Sequence, residues 1–158
     1  MVHTTASEIE TASRAGSFAK TLRRGDVVAL YGELGSGKTQ FVKGVCKYFN
    51  VAQLVTSPTF VLMNRYSGSE SGGRELMIFH FDLYRVKNLS EVYDLGYQEF
   101  FHGDGICLVE WADRLESLLP RQRHDVNLSF GKKENERIMA IEAVVDELEV
   151  GSKAGELR

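Results

Sequence analysis

The 158-residue chain predicts an α/β fold, and three observations carry that reading. The strand-like run VVALY at 27–31 leads into a glycine-rich turn, and helical periodicity resumes from Lys38. Two further strand-like segments, 60–66 and 75–83, flank the Ser/Gly stretch SGSESGG, which is the pattern of an antiparallel hairpin with a long loop. The third is ICLVEW at 106–111, a continuous apolar run of the kind a parallel sheet buries on both faces.

The remaining elements follow in order. Ser7 and Glu10 form a capping box, after which Ile9, Ala12, Ala15, Phe18, Ala19 and Leu22 recur at helical spacing until Arg23, Arg24 and Gly25. Beyond the glycine turn, Phe41, Val42, Val45, Tyr48 and Phe49 mark a second amphipathic helix. Residues 88–101 predict short helices broken by Gly96, and 112–119 a helix that Pro120 stops. Segments 126–130 and 137–143 pair around Gly131, and the tail from about 147, ending GSKAGELR, reads as frayed.

Composition sets outer bounds. With 43% hydrophobic and 26% charged residues the chain is globular rather than disordered or fibrous, and its length suits one domain over 1–158. Nineteen Lys and Arg against 22 Asp and Glu leave a net charge of -3, too little positive charge for strong independent nucleic-acid binding. No apolar run approaches the ~18 residues of a membrane span, and the amino terminus MVHTTASEIE lacks a signal-peptide pattern, so a cytoplasmic protein is expected. Cys46 and Cys107 fall in apolar patterns and read as core residues; with no CxxC and four scattered histidines, no structural zinc site is expected.

The strongest motif is GELGSGKT at 32–39, which satisfies G-x-x-x-x-G-K-[ST] at Gly32, Gly37, Lys38 and Thr39. A shuffled chain of this composition holds such a match roughly one time in a hundred, and this one lies between a predicted strand and a predicted helix, where the chemistry requires it. Glycines let successive N–H groups turn inward onto phosphate oxygens at the positive end of a helix. Gly35, Ser36, Gly37 and Gln40 fall within or beside that cradle. Lys38 brings a point charge to the β- and γ-phosphates, and the Thr39 hydroxyl suits a Mg²⁺ bridging them. The implied ligand is a magnesium nucleoside triphosphate, ATP or its product ADP.

Such a site needs a strand-end acid, and two compete: Asp82 closes MIFHFD and Glu110 closes ICLVE. The more central-looking strand assigns Glu110 the metal and Asp82 the attacking water, with exchange of the two roles open. Each also has a plain structural reading, Asp82 as a turn acid and Glu110 as a helix-start acid. His80 lies two residues from Asp82 on the same strand face and either orients a carboxylate or water or is a structural histidine. Thr56, Ser57 and Thr59 surround Pro58 in an extended segment able to close over a γ-phosphate, or simply leading into a strand. Arg85 reads as a surface ion-pair residue or a group neutralising transition-state charge, Trp111 as a packing anchor facing away from Glu110 or a base-stacking ring, and Lys132 and Lys133 as an exposed hairpin tip or a border to the nucleobase.

GELGSGKT, TSPTF at 56–60, HFDLYR at 80–85 and VEW at 109–111, in this order and spacing, resemble the TsaE (YjeE) family of small bacterial ATPases. The resemblance runs from about Ser7 to Ala143. It implies a three-layer, P-loop NTPase-like fold with a mixed central sheet, binding of ATP and Mg²⁺, and slow hydrolysis by the isolated protein. It further implies action with TsaB and TsaD in making threonylcarbamoyladenosine on tRNA, with tRNA met through that complex. By the same resemblance, Gly35 through Thr39 contact phosphate and magnesium, Thr56 to Thr59 act as a switch-like segment, and Asp82 and Glu110 are catalytic or metal carboxylates. Ser7 and Lys133 are placed near the nucleotide.

Two other function classes are compatible with the motif. A small-molecule kinase also pairs a phosphate loop with strand-end acids, yet the chain shows no arginine cluster suited to a lid over two substrates. A nucleotide-gated binding module, in which ATP orders TSPTF and the SGSESGG loop and hydrolysis is incidental, differs from an ATPase subunit only in what turnover does.

Overall fold

The computed structural model describes residues 1–58 and 60–146. The chain runs β1 (Val2–Thr5), α1 (Glu8–Ala19), β2 (Val27–Tyr31), α2 (Lys38–Tyr48), β3 (Met63–Ser69), β4 (Glu75–Asp82), α3 (Leu89–Leu95), α4 (Tyr97–Phe101), β5 (Ile106–Glu110), a 3₁₀ segment (Ala112–Leu118), β6 (Arg123–Phe130) and β7 (Arg137–Val144). The strands form one sheet in the order β1-β7-β6-β2-β5-β4-β3. Its centre, β6-β2-β5-β4, is parallel, and antiparallel partners flank it on both sides. The sheet is therefore mixed, as expected.

Alternation along β2 and β5 builds two cores. Val28, Leu30, Ile106 and Leu108 pack on one face with Ala15 and Ala19 of α1 and Phe41, Val42 and Val45 of α2. Val27, Ala29, Cys107 and Val109 point the other way, against Val92, Tyr97, Phe101, Ala112 and Leu115. Helices on both faces make three layers in an α/β, P-loop NTPase-like arrangement. Cys46 and Cys107 are buried and free, with burial pushing both thiols up to about 12.

Several boundaries differ from the sequence reading. β3 begins at Met63 and continues to Ser69, because the first residues of SGSESGG pair with β4 as far as Ser69 and Glu75. An unexpected β1 lies antiparallel to β7. In α1 the buried positions are Thr11, Ala15 and Ala19, while Ile9 is 83% exposed, so the inward stripe is rotated from the one the apolar spacing suggested. The expected 112–119 helix is 3₁₀ and broken at Glu116, whose φ is 50°. The tail from 147 lies outside the described residues.

Candidate active site

β2, β5 and β4 are parallel neighbours, so their carboxyl ends emerge side by side. The register aligns Leu30 with Glu110 and Glu110 with Asp82. β2 delivers the 32–37 loop to that edge, and α2 starts immediately after it at Lys38. The loop's glycines are required by its shape. Gly32 has φ 147°, and a Cβ there would lie 2.4 Å from both the Leu128 carbonyl oxygen and Ser36 Oγ. Gly35 and Gly37 also have positive φ, 82° and 106°.

Lys38 is only 5% exposed and donates to the carbonyl oxygens of Gly32 (2.5 Å) and Glu33 (3.0 Å). Its Nζ also stands 4.0 Å from the centroid of the Trp111 ring. Burial pulls the ammonium below the usual lysine value, and the nearby carboxylates of Glu110, Asp82 and Asp113 oppose that pull. Ser36 Oγ is fully buried without a hydrogen-bond partner in the structure. An orphaned hydroxyl and inward glycines are what a phosphate cradle presents before an anion satisfies it.

The two acids have separate partners. Glu110, 2% exposed, accepts from the Thr39 hydroxyl at Oε1 (2.8 Å), and its Oε2 lies 2.5 Å from His80 Nε2. Asp82 accepts from the Ser57 hydroxyl at Oδ2 and from the Tyr84 amide at Oδ1 (3.0 Å). His80 therefore orients Glu110 on the neighbouring strand rather than Asp82 on its own. Thr39, Glu110 and Asp82 offer hard oxygen donors, a chemistry that fits Mg²⁺ shared with phosphates. Among the described residues no group of three or more His, Cys, Asp or Glu is arranged as a protein-only metal cage.

A cavity of about 340 Å³ adjoins the loop, lined by Ser7, Ile9, Thr11, Gly35, Gln40, Asn135 and Arg137 among others. It brings Ser7 and Gln40 together with the loop, and the exposed Ile9 is among its lining residues. Lys133 is exposed in the β6–β7 turn and does not line this cavity; Asn135 and Arg137 do. Arg137 Nε also donates to the Gly35 carbonyl (3.2 Å). Nothing in the sequence singled out these two residues, because only the folded turn carries them back over the loop. Trp111 does not continue β5: its φ of 57° ends the strand and turns the ring toward Lys38 and Tyr84, 4.9 Å between ring centroids. Arg85 stacks on Phe60 at 4.9 Å. Thr56 is exposed, and Thr59 lies outside the described residues. The larger cavity, about 610 Å³, opens at the opposite end of the strands around Arg24, Asp26, His102, Arg121 and His124, and no residue of the 32–39 loop lines it.

The family model described as threonylcarbamoyl adenosine biosynthesis protein TsaE matches residues 5–139. The chain belongs to the TsaE family. Relatives named tRNA threonylcarbamoyladenosine biosynthesis protein TsaE include one from Bacillus subtilis, 42% identical over 72% of this chain and 68% of its own length. The Treponema pallidum relative is 37% identical over 75% of this chain and 84% of its own, and that of Rickettsia typhi 36% identical over 89% and 93%. In three dimensions the chain is similar to the crystal structure of Bacillus subtilis YdiB, with a TM-score of 0.77 and 31% identity over 98% of this chain and 92% of that one. TsaE membership agrees with the motif set HFDLYR and VEW. Among the described residues no helix is long and apolar enough to cross a membrane.

Proposed function

We propose that this TsaE-family protein is a Mg²⁺-dependent ATPase subunit that acts with TsaB and TsaD in the threonylcarbamoyladenosine modification of tRNA, in the cytoplasm. The observation that carries the reading is the Thr39–Glu110 hydrogen bond, which sets the loop threonine against a buried strand-end carboxylate beside Lys38. In this reading Gly35 to Thr39 bind the phosphates of ATP, and Lys38 moves from two loop carbonyls to phosphate oxygens. Thr39 and Glu110 hold the metal, which when bound neutralises charge developing on the β- and γ-phosphates. Asp82, anchored by Ser57 and the Tyr84 amide, orients the attacking water, and Thr56 and Thr59 close the γ-phosphate side. Ser7 and Gln40 border the nucleoside.

ATP hydrolysis measured on the purified protein, alone and with TsaB and TsaD from the same source, tests this reading. A group supplied in trans can raise such rates by about 10³- to 10⁵-fold, so slow basal turnover that climbs steeply with both partners is the expected result. Fast turnover that ignores the partners contradicts the partner assignment. Phosphate appearing on an added metabolite rather than in solution contradicts the ATPase assignment.

A further inference from the structure

We propose that Tyr66 is a positioning residue that couples the backbone at 56–57 to the Glu110 carboxylate, so that an ion ordering one also orders the other. The inference rests on the nucleotide-site reading above. Tyr66 is 3% exposed, and its hydroxyl lies 3.1 Å from the Thr56 carbonyl oxygen and 3.3 Å from His80 Nδ1. His80 is fully buried, and its Nε2 reaches Glu110 Oε2. The path from Thr56 to the carboxylate is thus three contacts long, and its two inner contacts, Tyr66 to His80 and His80 to Glu110, are buried. Ser57, the next residue, binds Asp82, so both strand-end acids are tied to one two-residue stretch.

The tyrosine proton makes the link responsive. A hydroxyl has one proton to donate, and here two acceptors lie within reach. In the neutral ring with Nε2–H directed at the Glu110 carboxylate, Nδ1 is the acceptor and Tyr66 its available donor. Asn64 Nδ2, 3.1 Å from the Thr56 carbonyl oxygen and 3.3 Å from the Tyr66 hydroxyl, then remains as the carbonyl's side-chain donor. When Thr56 draws the hydroxyl instead, Nδ1 loses its donor and Glu110 loses the orientation of its buried partner. One rotor therefore selects between two arrangements without gain or loss of a proton. Asn64 and Tyr66 face this point because β3 pairs with β4 in a register that sets Asn64 opposite His80.

The test is amide hydrogen exchange at 54–57 in the ADP complex with and without Mg²⁺, in the full chain and in Tyr66→Phe. ADP lacks the γ-phosphate, so the metal reaches this segment either through Glu110, His80 and Tyr66 or through Asp82 and Ser57, and Tyr66→Phe cuts only the first route. The intact chain should slow about threefold on adding Mg²⁺, and Tyr66→Phe should lose that difference while binding ADP within about threefold of normal. A merely structural tyrosine would shift exchange equally in both conditions. Equal slowing in both chains, or none in the intact chain, overturns the coupling. If the intact chain binds no ADP, the nucleotide-site reading falls, and this inference with it. Should Tyr66→Phe fail to fold, His80→Gln cuts the same path one residue later and must remove the same Mg²⁺-dependent difference.

Discussion

Glu110 is nearly sealed from solvent, yet each of its oxygens has a partner, one on α2 and one on β4. A carboxylate in such a place keeps its geometry only if neither partner is lost, because an unpaired buried acceptor costs about 1–3 kcal/mol. At the opposite end of the strands Asp26 shows a different electrostatic role. Burial raises its pKa, but hydrogen bonds from His124 and the Arg23 amide outweigh that and hold the carboxyl below the ordinary aspartate value of 3.8. A depressed carboxyl contributes stability that is present above 3.8 and is lost as pH falls through the folded value. Asp26→Ala should therefore lower stability by about 1 kcal/mol at pH 7, and urea melts at successive pH values should show the gap to the parent chain closing only below 3.8. A gap that stays constant into strong acid would contradict the assignment. At this scale the sequence spoke clearly wherever spacing encodes chemistry: Lys38, Thr39, Asp82 and Glu110 meet at one edge as the motif requires. Tyr66, Asn135 and Arg137 stayed invisible, since their positions depend on strand register and turn path.

Helices α1 and α2 show how an element is fixed by one small residue. A Cβ on Gly44 would lie 2.1 Å from the Ala12 carbonyl oxygen and 2.8 Å from Ala15 Cβ, so the two helices cross at backbone contact. Helix propensity alone favours alanine there, but the steric clash dominates. Gly44→Ala should destabilise by about 1–3 kcal/mol, read as a lower urea midpoint with unchanged slope. A stabilised variant would mean that the helices separate freely. This close crossing also accounts for the rotated stripe on α1, where Thr11 is buried and bonded to Thr5 while Ile9 faces the cavity beside the loop. Apolar spacing identified the helix but could not register a face set by a glycine on another element. Gly96, by contrast, was legible as a break, and its φ of 74° separates α3 from α4. The β3 boundaries were less so, because Ser67, Gly68 and Ser69 look like loop yet pair in full register with β4.

Across the whole molecule, the proposed site is built by three parallel strands ending at the same edge. β2 carries the loop, β5 carries Glu110 and β4 carries Asp82, while the layers of helices on both faces keep those ends in register. The fold class was readable because the buried run of β5 and the loop between β2 and α2 are local signals, whereas β1 joins the sheet through a partner at the far end of the chain. In the proposed ATPase, Glu110 supports turnover rather than nucleotide affinity. The most direct test pairs ATP binding with Mg²⁺-dependent hydrolysis for the parent chain and Glu110→Gln. Binding within about threefold and turnover reduced by about 10²-fold or more is the predicted result. Full turnover in Glu110→Gln would contradict the account.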